Sequence, residues 1–126
     1  MPGAAFADGG SSVACTDGTK NGECDTNPTK WTWSDPLTSS SGAATITKVK
    51  LDGNQYPVVD GDAMADHPDG VPCVVEAVDH DPPLVEFSSK VTFEGSGAGR
   101  IGDKYDDENG FDHIISTGSS KVNIGG

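Results

Sequence analysis

Positive charge is scarce in this chain: eight Lys and Arg residues stand against twenty Asp and Glu, a formal net charge of −12. A body of that sign repels phosphate, which argues against nucleic acid as a partner, and it argues equally against a helix lying on a membrane surface. Aromatic residues make up 6% and apolar residues 33% of the chain, so the core must be small. No apolar run approaches a membrane span; the longest, Cys73-Val74-Val75-Glu76-Ala77-Val78, is broken by Glu76. No stretch keeps a 3.6-residue apolar period, and Gly or Pro interrupts every candidate helix. The first residues have neither the basic nor the apolar region of a secretory leader, so cytoplasmic synthesis is expected. Three cysteines are an odd number; a disulfide scaffold would leave one thiol over, and reduced cysteines are expected instead.

What the chain does have is a phrase that occurs three times. It reads Thr47-Lys48-Val49-Lys50-Leu51-Asp52-Gly53, then Ser89-Lys90-Val91-Thr92-Phe93-Glu94-Gly95, then Ser120-Lys121-Val122-Asn123-Ile124-Gly125-Gly126. The alternation is that of a short half-buried strand, with Val and Leu, Phe or Ile on one face, and the Gly marks a sharp turn. Gly61-Asp62 follows the first copy by eight residues and Gly102-Asp103 the second by seven. The third copy ends the sequence, but counting on from Gly125 through Gly126 and Met1 reaches Ala7-Asp8 after eight residues. The third unit is thus split between the two termini. The expected fold is all-β: one domain over 1–126, with three pseudo-threefold β-hairpin repeats, long loops, and termini paired to close the ring and remove a strand edge. The repeat strands fall near 47–62, 89–103, and 120–126 joined with 2–8. Phe6 and Ile101 occupy equivalent places before the Asp of their units. Together with Val49, Leu51, Val91, Phe93, Val122 and Ile124 they form the expected core.

The stretches 9–38, 63–84 and 104–115 read as loops rich in Gly, Ser, Asp and Asn, with Trp31 and Trp33 as a plug over the core. Each core residue contributes roughly 1.5–3 kcal/mol on burial, which hardly offsets the ordering of such loops, so a staple or partner is expected. All three histidines lie in these loops, as do all three cysteines. Loops projecting from one end of a three-unit ring bring His67, His80, His113 and Cys15 toward one axis. Three imidazoles and a thiolate suit tetrahedral zinc, and ferrous iron as well; with four protein ligands the ion would be structural. The acidic runs near Asp60-Gly61-Asp62 and Asp106-Asp107-Glu108 lack the alternating spacing of a calcium loop and read as solvated. No nucleophile sits in a recognisable catalytic turn, and no enzyme is expected. Lys48, Lys90 and Lys121 fill one repeat position, either as charges that deter edge-to-edge pairing or as a threefold docking surface for a trimeric partner.

Taken together, the repeat and its circular closure resemble the PAAR-repeat family, the small spike-tip proteins of contractile injection machines such as phage tails and type VI secretion. The family's motif runs Pro-Ala-Ala-Arg, apolar, Gly-Asp. It is echoed in Pro2-Gly3-Ala4-Ala5-Phe6-Ala7-Asp8 and in Gly97-Ala98-Gly99-Arg100-Ile101-Gly102-Asp103, while Tyr56-Pro57-Val58-Val59-Asp60-Gly61-Asp62 keeps the Gly-Asp and a displaced Pro. The resemblance implies a cone whose broad base sits on a trimeric β-helical spike, one tip per trimer, and whose point carries one structural zinc or iron ion. His67, His80 and His113 match ligand positions by the resemblance, with Cys15 as the thiolate, or Cys24 or Cys73 in its place. The implied function is to cap and sharpen the spike of a contractile tail or injection particle, assembled in the bacterial cytoplasm, and to aid puncture of a target envelope. The alternative class is a secreted metal- or ligand-binding β-domain using Trp31, Trp33 and the acidic loops.

Overall fold

Each repeat turns where its glycine stands. In the computed structural model, which describes residues 1–7, 10–17, 32–37, 46–64, 82–106 and 111–126, β3 (Thr92–Phe93) and β4 (Ser96–Gly97) pair antiparallel across Glu94-Gly95. Both linking residues have positive φ, 50° and 85°, as a two-residue hairpin with the strands' own twist requires. Asp52 and Gly53 repeat this at 49° and 84°, but Leu51 there pairs with Gln55, so Asn54 is an extra turn residue. That insertion accounts for a spacing of eight residues in one unit and seven in the other. In the third unit Gly126 has φ 76°, and the Ile124 N–H donates to the Pro2 carbonyl at 2.8 Å, pairing the two ends of the chain.

The second halves of the three units meet in a closed circuit. Ala5 donates its N–H to the Gly99 carbonyl (3.0 Å), Gly99 to Val58 (2.8 Å) and Val58 back to Ala5 (3.1 Å). Around it runs a second set: Ala7 to Tyr56, Asp60 to Gly97 and Ile101 to Gly3, at 2.8, 2.8 and 2.9 Å. The antiparallel bridges follow the same order, Phe6 with Pro57, Val59 with Ala98 and Ala4 with Arg100. The three units are therefore related by a pseudo-threefold axis through Ala5, Val58 and Gly99, all buried.

This geometry corrects one expectation. Phe6 is equivalent to Val59 and Arg100, and Ala7 to Ile101, a shift of one residue. The cause is the capping group of each turn. Gly61 and Gly102, at φ 99° and 94°, let Asp62 and Asp103 fold back to accept the N–H of Val59 (3.0 Å) and Arg100 (2.9 Å), a type II turn that requires positive φ at its third residue. At the N-terminus no Gly stands at that place, and the Ser11 hydroxyl accepts the Phe6 N–H, at 2.8 Å.

The stretches expected as loops hold most of the regular structure. β1 (Ser12–Asp17), β2 (Thr32–Pro36), β5 (Lys104–Tyr105) and β6 (Phe111–Ile115) form a four-stranded antiparallel sheet in the order β2-β1-β6-β5. Alternation explains it, since Val13 and Cys15 on β1 and His113 and Ile115 on β6 are all buried. Among the described residues, apolar side chains form two clusters. One gathers Ala4, Phe6, Leu51, Ala98 and Ile124, with Val49, Val91, Phe93 and Val122 half-buried beside it. The other, under the four-stranded sheet, holds Ala5, Val13, Cys15, Leu37, Val58, Met64, Leu84, Tyr105 and Ile115; the repeat pattern alone did not point to it. Ile101 is half-buried and belongs to neither. The described residues contain strands and no helix. Trp31 lies outside the described residues, and Trp33 stands on β2 opposite Cys15.

A Cβ at Gly99 would sit 3.0 Å from Val58 Cγ1 and 3.2 Å from the Val58 carbonyl oxygen. Gly99→Ala should therefore widen the central circuit and lower unfolding stability by about 1–3 kcal/mol in urea titrations. Ser120→Ala, at an exposed repeat position, should change it by no more than about 0.5 kcal/mol. Equal stabilities for the two variants would refute the tight axis.

Candidate metal centre and docking face

One rung crosses the four-stranded sheet. Trp33 on β2 stands opposite Cys15 on β1, Cys15 opposite His113 on β6, and His113 opposite Tyr105 on β5. Residues opposite one another share a sheet face, with Cβ atoms about 4.5–5.5 Å apart. The sheet thus places the Cys15 sulfur and the His113 imidazole side by side, both fully buried. The Cys15 thiol also lies 3.9 Å from the Val13 carbonyl, which it can donate to weakly. A soft thiolate and an imidazole on adjacent strands are a donor pair suited to zinc or ferrous iron. His67, His80, Cys24 and Cys73 lie outside the described residues. Among the described residues, no group of three or more His, Cys, Asp or Glu side chains is placed to hold a metal.

Tyr105 is the member of this rung that sequence reasoning missed. Among the described residues it is the largest fully buried side chain, and its hydroxyl has no hydrogen-bond partner there. Burial, assisted by the negative charge of Asp62, pushes its pKa far up. Nearby, Arg100 closes its own turn with a fork onto Asp103, Nε to Oδ2 at 2.9 Å and Nη2 to Oδ1 at 3.0 Å. The hydrogen bond it donates to Asp103 holds that guanidinium still more firmly protonated.

At the hairpin end, the threefold relation places Val49, Val91 and Val122 in equivalent, half-buried positions and Lys48, Lys90 and Lys121 in equivalent, exposed ones. Two serines fix the backbone there. Ser88 Oγ accepts the N–H groups of Lys90 (3.2 Å) and Val91 (2.9 Å) and donates to the Gly125 carbonyl at 2.6 Å. Ser119 Oγ accepts from Lys121 (3.0 Å) and Val122 (2.8 Å) and donates to the Asp52 carboxylate at 2.9 Å. Each serine thus ties its unit to the turn of the next. The signal was present in the sequence as Ser-Ser-Lys-Val, which occurs twice.

Comparison with known proteins adds no relative: no family model matches the chain, and neither does any curated protein or solved structure.

The phenol of Tyr105 gives a pH prediction. Below about pH 10 it is neutral in the folded and unfolded chain alike. Above that, the unfolded chain releases the proton and the folded chain keeps it, so this group should lower stability by about 1.4 kcal/mol per pH unit as pH rises. Tyr105→Phe should remove that part of the alkaline slope in urea titrations and cost little at neutral pH, because no hydrogen bond is lost. A variant with the wild-type slope would contradict it.

Proposed function

We propose that this chain is a structural tip, a pseudo-threefold monomer that caps the blunt end of a trimeric β-helical spike in a contractile tail or injection particle. The observation that carries the reading is the closed circuit of Ala5, Val58 and Gly99. One chain thereby sets three related units around one axis, each carrying the repeat's valine and lysine at one end, which is what a threefold partner with three open strand edges needs. The half-buried Val49, Val91 and Val122 support it, since apolar side chains left half-covered at equivalent places suit burial by a trimer. The resemblance to the PAAR-repeat family points the same way. The tip acts by shape and attachment rather than catalysis. It seals the trimer and tapers it to a point that concentrates force on a target envelope.

In this reading Cys15 and His113, with His67 and His80, hold one zinc or iron ion. The ion supplies a crosslink between the four-stranded sheet and the 63–84 stretch that carries His67 and His80. The pairing of Cys15 with His113 across β1 and β6 fits such a set.

Two measurements test the proposal. Mixed with the trimeric spike protein encoded in the same genome, the chain should elute as a complex of one tip per trimer; failure to associate would overturn the capping role. Mass spectrometry of the chain purified without added metal should find about one zinc or iron per chain, in keeping with a closed four-ligand site. His113→Ala and Cys15→Ser should each lose most of that metal and melt several degrees lower. Absence of transition metal, with a melting temperature indifferent to chelator, would remove the metal from the account.

A further inference from the structure

Of eight basic residues in a chain of net charge −12, three occupy a single repeat position. The structure makes that position one of a threefold set, and all three side chains, Lys48, Lys90 and Lys121, are exposed. Among the described residues no carboxylate neutralises them. Among the described residues the ion pair is Arg100 with Asp103, and none of the three lysines lies against a carboxylate. The nearest acidic candidates on the hairpins are otherwise placed: Asp52 accepts from Ser119, and Glu94 stands exposed at a turn tip with positive φ. The fourth lysine of the repeats, Lys50, is directed elsewhere, with Nζ 5.5 Å from the centre of the Tyr56 ring. The backbone at Lys90 and Lys121 is held by the hydroxyls of Ser88 and Ser119, so two of the three charges are presented from fixed points. Each flanks a half-buried valine of the apolar cluster at the hairpin end.

An unpaired cation ring around an apolar patch, on a strongly acidic body, fits a partner whose matching face is acidic. Charges at the rim of an interface set encounter rate and partner choice more than affinity, and like-charged juxtaposition rejects wrong partners. We infer that Lys48, Lys90 and Lys121 are specificity-determining residues that dock the chain on a trimer presenting an Asp or Glu from each of its three subunits. This rests on the capping reading above and names the chemistry of its partner. The lysines turn an approach of two acidic bodies into an attraction confined to one end, and a second copy of this chain, carrying the same lysines there, is rejected.

The test uses the full chain and the purified trimeric spike protein encoded in the same genome, with binding measured at low and at high salt. Wild type should weaken steeply as salt screens the ring. The triple variant Lys48→Ser, Lys90→Ser, Lys121→Ser should melt as wild type does, because the side chains are exposed. Its binding should be about ten-fold weaker or more at low salt, each rim pair being worth a few-fold. The triple Lys→Glu variant should not bind, and the triple Lys→Arg variant should bind as wild type. If wild type and the triple Ser variant bind the trimer equally and without salt dependence, the electrostatic docking is wrong and the capping reading stands. If wild type does not bind the trimer at all, both fall.

Discussion

Ala5 donates to Gly99, Gly99 to Val58 and Val58 back to Ala5, and the residues around this circuit are constrained by its tightness. Three backbones approach one axis, so there is room for very little side chain. Ala4, Ala5, Ala98 and Gly99 stand there, and the Val58 side chain occupies the space a Cβ at Gly99 would need. A buried N–H or C=O left unpaired would cost about 1–3 kcal/mol. The circuit satisfies each of these groups with its counterpart in the next unit, leaving no edge at the axis. Small residues here are a condition of hydrogen bonding, not a sign of weak packing.

The same constraint explains why the units differ where they do. Gly3 and Gly97 are equivalent, and at each a Cβ would collide with a serine carbonyl, Ser119 or Ser88. Those serines donate their N–H groups to Ala4 and Ala98, and Ala4 and Ala98 donate to Val122 and Val91, all at 2.8–2.9 Å. The remaining unit has Tyr56 for the glycine, Pro57 for the alanine and Ile46 for the serine. Pro57 has no N–H to give, and Ile46 has no hydroxyl to lock the following turn. These hairpin bonds accordingly have no counterpart there among the described residues. Three substitutions that look unrelated in sequence are one structural change, the opening of one hairpin, and the turn pair Leu51 with Gln55 still holds its tip at 2.6 and 2.8 Å.

The sequence showed the hairpins plainly because alternation and positive-φ glycines are local signals. The closure of the ends was legible for the same reason, by counting. The register of the N-terminal segment was not. Ala4-Ala5-Phe6-Ala7 carries no glycine to mark its turn, and the serine that replaces the capping aspartate stands five residues beyond Phe6. The four-stranded sheet was hidden more deeply. Ser12 and Ser116 lie 104 residues apart, and nothing local in β1 names β6 as its neighbour. The candidate site depends on that pairing. Cys15 and His113 could be picked out as donors by residue type, but only the register of β1 on β6 places them side by side. Tyr105, their companion, has an ordinary local context and is conspicuous only for its burial.

The repeat symmetry is kept at the hairpins and lost in the four-stranded sheet. At the hairpin end the three units keep the same residues, valine and lysine at each equivalent place, although their turns differ by an insertion and their hydroxyl locks number two. At the other end symmetry is gone, since β1, β2, β5 and β6 come from two of the three inter-repeat stretches and build a single sheet. A true trimer could not do this, because each subunit would carry identical loops. Fusing three units into one chain leaves one end free to match a threefold surface while the other specialises. The axis circuit makes the two compatible, because it fixes the units by backbone bonds alone and leaves the side chains of either end free to differ.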